Sequence, residues 1–108
     1  MFGRLDDQPL RQIVYDMADD TGVEGFARQQ RAIIGRPDSR PMLGSIRCPT
    51  LVLVGANDTN FLAATDYMAA KIAGATKAVI PNAGHAANLH QPALFNQAVE
   101  AFLAKLPA

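Results

Sequence analysis

The sequence has little of several features that would indicate particular classes of protein. It contains one cysteine, Cys48, which cannot form a disulfide within the chain and fits a reducing, cytoplasmic environment. Ten basic residues balance ten acidic residues without a basic cluster, which argues against nucleic acid or an anionic membrane surface as partner. No apolar run approaches the roughly 18 residues that a membrane span needs. An apolar content near half with few aromatic residues is ordinary for a soluble globular domain.

Helical signals dominate the first part of the chain. Residues 1–7 are polar and predict no regular element. Beginning at Pro9, apolar residues follow the helical spacing and predict a helix that ends at Asp19–Asp20. Its apolar positions are Leu10, Ile13, Val14 and Met17. The pattern Thr21–Glu24 is typical of a capping box and predicts the start of a second helix, which Gly35 ends. Residues 36–47 then predict a linker, with one helical turn near Pro41 to Gly44.

The second part of the chain predicts a strand, a helix, a strand and a final helix. The apolar, β-branched segment Thr50–Gly55 is typical of a strand buried on both faces. A helix over Phe61–Ala73 and a second strand over Lys77–Pro81 follow. This crossover has the length of a right-handed βαβ unit, so we expect the two strands to be parallel neighbours. Pro92 opens the last helix, which has the clearest helical periodicity in the chain.

Two residues with catalytic chemistry follow these strands. Asp58 comes three residues after the first strand, and His85 follows the second strand within Asn82–His85. Parallel neighbours place both at the carboxyl edge of the sheet, where open α/β sheets build active sites. A carboxylate beside an imidazole is two thirds of a hydrolytic triad. Without that pairing, Asp58 is an ordinary turn residue, and His85 an ordinary surface or structural histidine.

Two sequence segments carry a resemblance to a known family. PTLVLVGAND, followed by AVIPNAGHAANLHQPALFNQAVEAFL, resembles the C-terminal part of an α/β-hydrolase-fold enzyme. The upstream segment Arg28–Leu43 is similar to the end of a helical cap in one branch of that family. The resemblance implies that Asp58 is the triad acid and His85 the triad histidine. It also implies a small ester-like substrate for the complete enzyme, and neither a cofactor nor a metal.

The resemblance divides the chain into two parts. Residues 1–47 correspond to cap-derived helices and a linker, and residues 48–108 to the C-terminal part of the hydrolase core. The expected fold is therefore α/β: two cap-like helices and then a β-α-β-α unit, a partial α/β-hydrolase fold with parallel strands.

Three other site assignments are weaker. His90 lies just before Pro92, where the family more often has an acidic residue, and we interpret it as structural. We expect Cys48 to pack in the core at the buried start of the first strand. A metal site built from His85, His90 and Asp58 lacks any recognised ligand spacing, so we expect none.

A missing motif limits the predicted activity. A serine hydrolase of this fold carries its nucleophile in Gly-x-Ser-x-Gly, ahead of the acid and the histidine. The two serines, Ser39 and Ser45, lie in the linker and outside such a motif. Two hypotheses follow. The chain is the C-terminal portion of a hydrolase for esters, lactones or activated C–C bonds, and is inactive alone. Alternatively, it is a non-catalytic interaction module that self-associates, most simply as a homodimer.

Overall fold

The computed structural model describes residues 8–107, so the polar segment 1–7 lies outside the described residues. By their internal contacts, the described residues form two compact units, 8–39 and 40–107. The 3₁₀ helix that follows residue 39 thus belongs with the sheet. The predicted division between residues 47 and 48 separates cap-derived helices from the hydrolase-like core. That division stays a prediction. None of the described helices is long and apolar enough to cross a membrane.

The first unit is helix α1, Gln8–Ile34, which contains one break. At Gly22 the backbone has φ 72° and ψ 170°, so two helical segments meet there, and the two predicted helices are both present. The predicted capping box is wrong. The Thr21 hydroxyl instead donates to the Met17 carbonyl at 2.9 Å, one turn back. The first segment therefore continues through Thr21, and glycine, which tolerates a positive φ, makes the break.

The apolar residues of α1 are largely exposed. Gly25 is the only residue of this helix that is buried. The exposed large apolar residues are Ile13, Tyr15, Met17, Val23, Phe26, Ile33 and Ile34. Val23 and Ile34 keep 86% and 83% of their surface in contact with solvent. The spacing that predicts amphipathic helices thus produces helices here, but their apolar side chains lack the cover that this spacing normally indicates.

The second unit contains the sheet. A 3₁₀ helix over Arg40–Ser45 takes the place of the predicted helical turn. The elements after it are β1 (Leu51–Gly55), α2 (Leu62–Lys71), β2 (Thr76–Ile80), α3 (Ala87–His90) and α4 (Pro92–Ala104). β1 and β2 are parallel, with Leu51 opposite Thr76 and Gly55 opposite Ile80. The predicted parallel βαβα order is therefore confirmed, while the four-residue helix α3 is an addition that the sequence did not predict.

The core of this unit is small. Ile80, Ala83 and Ala87 form a buried cluster, and half-buried apolar residues pack against it. These are Leu53, Leu94, Phe95 and Ala98. On β1 the buried residues Val52 and Val54 alternate with the half-buried Leu51 and Leu53. Successive side chains of a strand point to opposite faces. The prediction of burial on both faces is therefore only partly right, because one face is covered less completely.

The position predicted for Cys48 is wrong. Its side chain is exposed, and the strand begins three residues later, at Leu51. The intervening Pro49 has no amide hydrogen to donate to a strand. The Thr50 hydroxyl donates to the Cys48 carbonyl at 3.0 Å, so this segment forms a local turn before the strand.

Candidate functional site

Asp58 is held by the turn that joins β1 to α2. Its amide donates to the Gly55 carbonyl at 3.0 Å, and its own carbonyl accepts from the Phe61 amide at 3.0 Å. The backbone of Asp58 is thus bonded both to the end of the strand and to the start of the helix. The residue is buried, with 6% of its surface exposed. A buried carboxylate needs a partner, because removing an isolated charge from water is costly.

The partner of Asp58 lies on the loop after β2. There the Ala56 amide donates to the Ile80 carbonyl at 2.9 Å, which extends the strand pairing by one bond. The Asn57 amide donates to the Ala83 carbonyl at 2.8 Å and joins the two loops directly. Between these bonds Asn82 has φ 55°, a left-handed conformation that asparagine tolerates better than most residues. The turn brings His85 back toward the end of β1.

Asp58 and His85 form a hydrogen-bonded pair. The His85 Nδ1 atom lies 2.9 Å from the Asp58 Oδ2 atom. The carboxylate side chain is 8% exposed, whereas the imidazole is 40% exposed. This geometry favours the tautomer that donates from Nδ1 to the carboxylate and carries its lone pair on Nε2. A buried acid that orients a more accessible imidazole is the arrangement that a histidine general base requires.

Gly55 allows the two loops to approach each other. A Cβ atom added there would lie 2.7 Å from the Ala83 carbonyl carbon, and closer still to the carbonyl oxygens of Ala83 and Gly84. All three atoms are nearer than 3.0 Å, an approach that real Cβ atoms essentially never make. The loop that carries His85 therefore packs against the bare Cα of the last strand residue. From the sequence, this glycine marked only the end of the strand.

Phe61 lies beside the histidine. The two ring centroids are 5.1 Å apart, and the ring planes are inclined by 35°. Phe61 is partly exposed at 47%, so it adds apolar surface next to the imidazole. The helical periodicity of the segment gave no sign of this contact, because it depends on the Asp58 turn that sets where α2 begins.

His90 contacts the backbone that precedes His85. Its Nδ1 accepts a hydrogen bond from the Gly84 amide at 2.9 Å. This contact supports the interpretation of His90 as structural, and it gives the histidine a specific partner that the sequence did not reveal. His85 and His90 thus direct their Nδ1 atoms to different groups. Within residues 8–107, no three His, Cys, Asp or Glu side chains are grouped so that they could hold a metal ion.

Comparison with known proteins supports the resemblance seen in the sequence. No family model matches the chain. Over 104 residues, 94% of the chain, it is 34% identical to 3-oxoadipate enol-lactonase 2 of Acinetobacter baylyi. The solved structure of MenH from S. aureus superposes on 64% of the chain with a TM-score of 0.63 and 29% sequence identity. The chain is similar to a C-terminal portion of α/β-hydrolase-fold enzymes.

The similarity covers only part of the length of each relative. The chain spans 38% of the length of the A. baylyi lactonase and 26% of the MenH chain. Both relatives are α/β-hydrolase-fold enzymes, and the partial α/β fold with a parallel strand pair agrees with them.

Proposed function

We propose that the chain is the C-terminal portion of a serine hydrolase of the α/β-hydrolase fold, and that it provides the acid and the histidine of a catalytic triad. The nucleophile would come from outside these 108 residues. The observation that carries the proposal is the 2.9 Å contact between His85 Nδ1 and Asp58 Oδ2 at the carboxyl edge of two parallel strands. Open α/β sheets bind and transform their ligands at this edge.

In this proposal each residue has one role. His85 takes the proton of the nucleophilic hydroxyl at Nε2 as the hydroxyl attacks the substrate carbonyl. It then donates that proton to the leaving group. Asp58 keeps the Nδ1 proton in place and stabilises the imidazolium that forms between the two steps. Burial of Asp58 strengthens this stabilisation, because the effective dielectric constant beside the carboxylate is lower than in water.

The substrate class follows from the same chemistry. A triad of this kind opens an ester, a lactone or an activated C–C bond in a small molecule. Because the A. baylyi relative is by name an enol-lactonase, we favour a lactone among these three. We also propose a cytoplasmic location, since the single cysteine offers no disulfide within the chain.

We expect the 108-residue chain alone to show no esterase turnover. It has no Gly-x-Ser-x-Gly motif, and so neither a nucleophile elbow nor the oxyanion donors that accompany one. Release of p-nitrophenol from a short-chain ester measures this. The double variant His85→Ala, Asp58→Asn gives the blank rate. The control is the single variant Asp58→Asn, because it retains any slow catalysis by an exposed imidazole. Turnover well above that control would contradict the proposal.

A second candidate function is self-association, which two observations favour. The sheet has two strands, and within residues 8–107 no third strand pairs with the outer edge of β1. Two strands alone form a marginal sheet, and an open edge is a template for another chain. Large apolar side chains of α1 are exposed as well, Val23 and Ile34 above all. We propose a homodimer that buries about 2,000 Å² or more in total.

Sedimentation at micromolar concentration tests the homodimer. We expect a folded species of twice the 11.6 kDa chain mass, with a melting temperature that rises with protein concentration. The double variant Val23→Ser, Ile34→Ser should weaken the dimer if α1 forms part of the interface. Met42→Ser, an exposed position of the 3₁₀ helix outside α1 and the strands, serves as the matched control. A folded monomer that melts sharply, independent of concentration, would show that the chain does not need a partner.

A further inference from the structure

The loop that carries His85 is anchored from two directions. On one side the Asn57 amide holds the Ala83 carbonyl at 2.8 Å. On the other side, residues at the junction of α3 and α4 bind the same loop. The Gln91 Nε2 atom donates to the Asn82 carbonyl at 3.3 Å, and His90 Nδ1 accepts from the Gly84 amide at 2.9 Å. Three consecutive loop residues, 82–84, are thereby fixed immediately before His85.

The bond to His90 holds the residue directly before His85. Gly84 is buried, and a buried amide without an acceptor costs about 1–3 kcal/mol. The Gly84 amide and the Ala83 carbonyl belong to one peptide group, which therefore binds His90 on one side and Asn57 on the other. The backbone torsions of Gly84 separate this group from the peptide group that leads into His85. Rotation of this peptide group to free the amide would also break the Asn57–Ala83 bond, and the segment that leads into His85 would lose both of these attachments.

We propose that His90 is a positioning residue for His85. A neutral imidazole accepts at Nδ1 only when its proton is on Nε2. His90 therefore holds the tautomer opposite to that of His85, which donates to Asp58 from Nδ1. In this proposal, His90 accepts from the Gly84 amide and thereby keeps His85 in the position from which it donates to Asp58. The catalytic part of this assignment rests on the proposed function, whereas the structural part does not.

Two variants distinguish the effect of the hydrogen-bond acceptor of His90 from the effect of the volume of its ring. In His90→Asn, the amide Oδ1 replaces Nδ1 as an acceptor at the same distance from the backbone. In His90→Phe, an aromatic ring of similar shape has no acceptor. If His90 acts through its bond to the Gly84 amide, then His90→Asn should retain the conformation of the loop and His90→Phe should lose it. A residue that acts only by filling space would give the opposite order.

Nuclear magnetic resonance of the isotopically labelled 108-residue chain tests the proposal at about pH 8, where histidines are mostly neutral. Long-range ¹⁵N correlations of the imidazole rings should show His90 protonated on Nε2 and His85 on Nδ1. In His90→Phe, the Gly84 amide should exchange about tenfold faster, and His85 should populate both tautomers. In His90→Asn, both quantities should stay close to those of the unaltered chain.

Three results would overturn the proposal: an Nδ1 proton on His90, an unchanged Gly84 exchange rate in His90→Phe, or a His85 tautomer that does not respond. If His90→Phe does not fold, the proposal is judged by two other measurements. These are the tautomers of His85 and His90 in the unaltered chain and the exchange rate of the Gly84 amide in His90→Asn. A chimera in which this chain replaces the matching portion of the A. baylyi lactonase extends the test. There His90→Phe should lower kcat about tenfold with KM unchanged. Inactivity of the unaltered chimera would count against the proposed function, and the resonance measurements would still decide the role of His90.

Discussion

Gly55→Ala should destabilise the chain by about 3 kcal/mol or more, because the new methyl group would overlap backbone atoms that cannot rotate away. The atoms in question are the carbonyl groups of Ala83 and Gly84. Relief requires the loop to move as a whole, so the Asn57–Ala83 bond and the His85–Asp58 contact should be lost together. Urea unfolding at a fixed protein concentration measures the free energy of unfolding, and the Asn57 amide resonance reports the loop.

Gly44→Ala is the matched control for this substitution. Gly44 lies in the 3₁₀ helix of the same unit, and no atom lies within 4 Å of a Cβ added there. Replacing an unstrained glycine by alanine stabilises a protein by about 0.4–1 kcal/mol, through the entropy of the unfolded chain. The two substitutions are therefore expected to have opposite signs. Equal unfolding curves for the two variants would mean that the loop does not pack against Gly55.

Asp58→Asn should lower kcat by about 10⁴ in the lactonase chimera, and His85→Ala should remove triad catalysis entirely. The asparagine amide can donate to Nδ1, which then carries the lone pair, so the proton moves to Nε2 and the base faces the wrong way. The geometry of the site need not change. Hydrolysis of the lactonase's own enol-lactone, measured as kcat and KM, gives both effects.

Asp66→Asn is the matched control for the acid. Asp66 is an exposed aspartate of α2 that pairs with Lys77, and an exposed pair of this kind contributes little to stability. Its loss should leave kcat within about twofold. If Asp58→Asn also keeps kcat within tenfold of the unaltered chimera, Asp58 is a turn residue and the triad assignment to it is wrong.

The features that depend on short sequence patterns were predictable. The apolar run before Gly55, the helical spacing after Pro92 and the length of the crossover together predict the parallel βαβα order, and β1 and β2 have that order. From parallel strands it follows that loops after them share an edge. The proximity of Asp58 and His85 could therefore be expected without coordinates, although their roles remain a proposal.

The features that depend on contacts between loops were not predictable. The bond from the Gly84 amide to His90 exists because four residues after Ala86 form a short helix, and α3 has no amphipathic repeat long enough to detect. Likewise the failed capping box at Thr21 reflects a choice between two roles of one hydroxyl: in the box it would accept from the Glu24 amide, whereas in the structure it donates to the Met17 carbonyl. Both possibilities satisfy the local pattern, and the conformation of Gly22 decides between them.

The 27-residue separation of Asp58 and His85 has a consequence for folding. Chains whose contacts are close in sequence fold faster, because closing a short loop costs less entropy. Both residues belong to one βαβ unit, and the bond between their loops continues the pairing of the two strands. The acid and the base should therefore come together in the same kinetic step as β1 and β2, and substitutions at this junction should slow folding more than they speed unfolding.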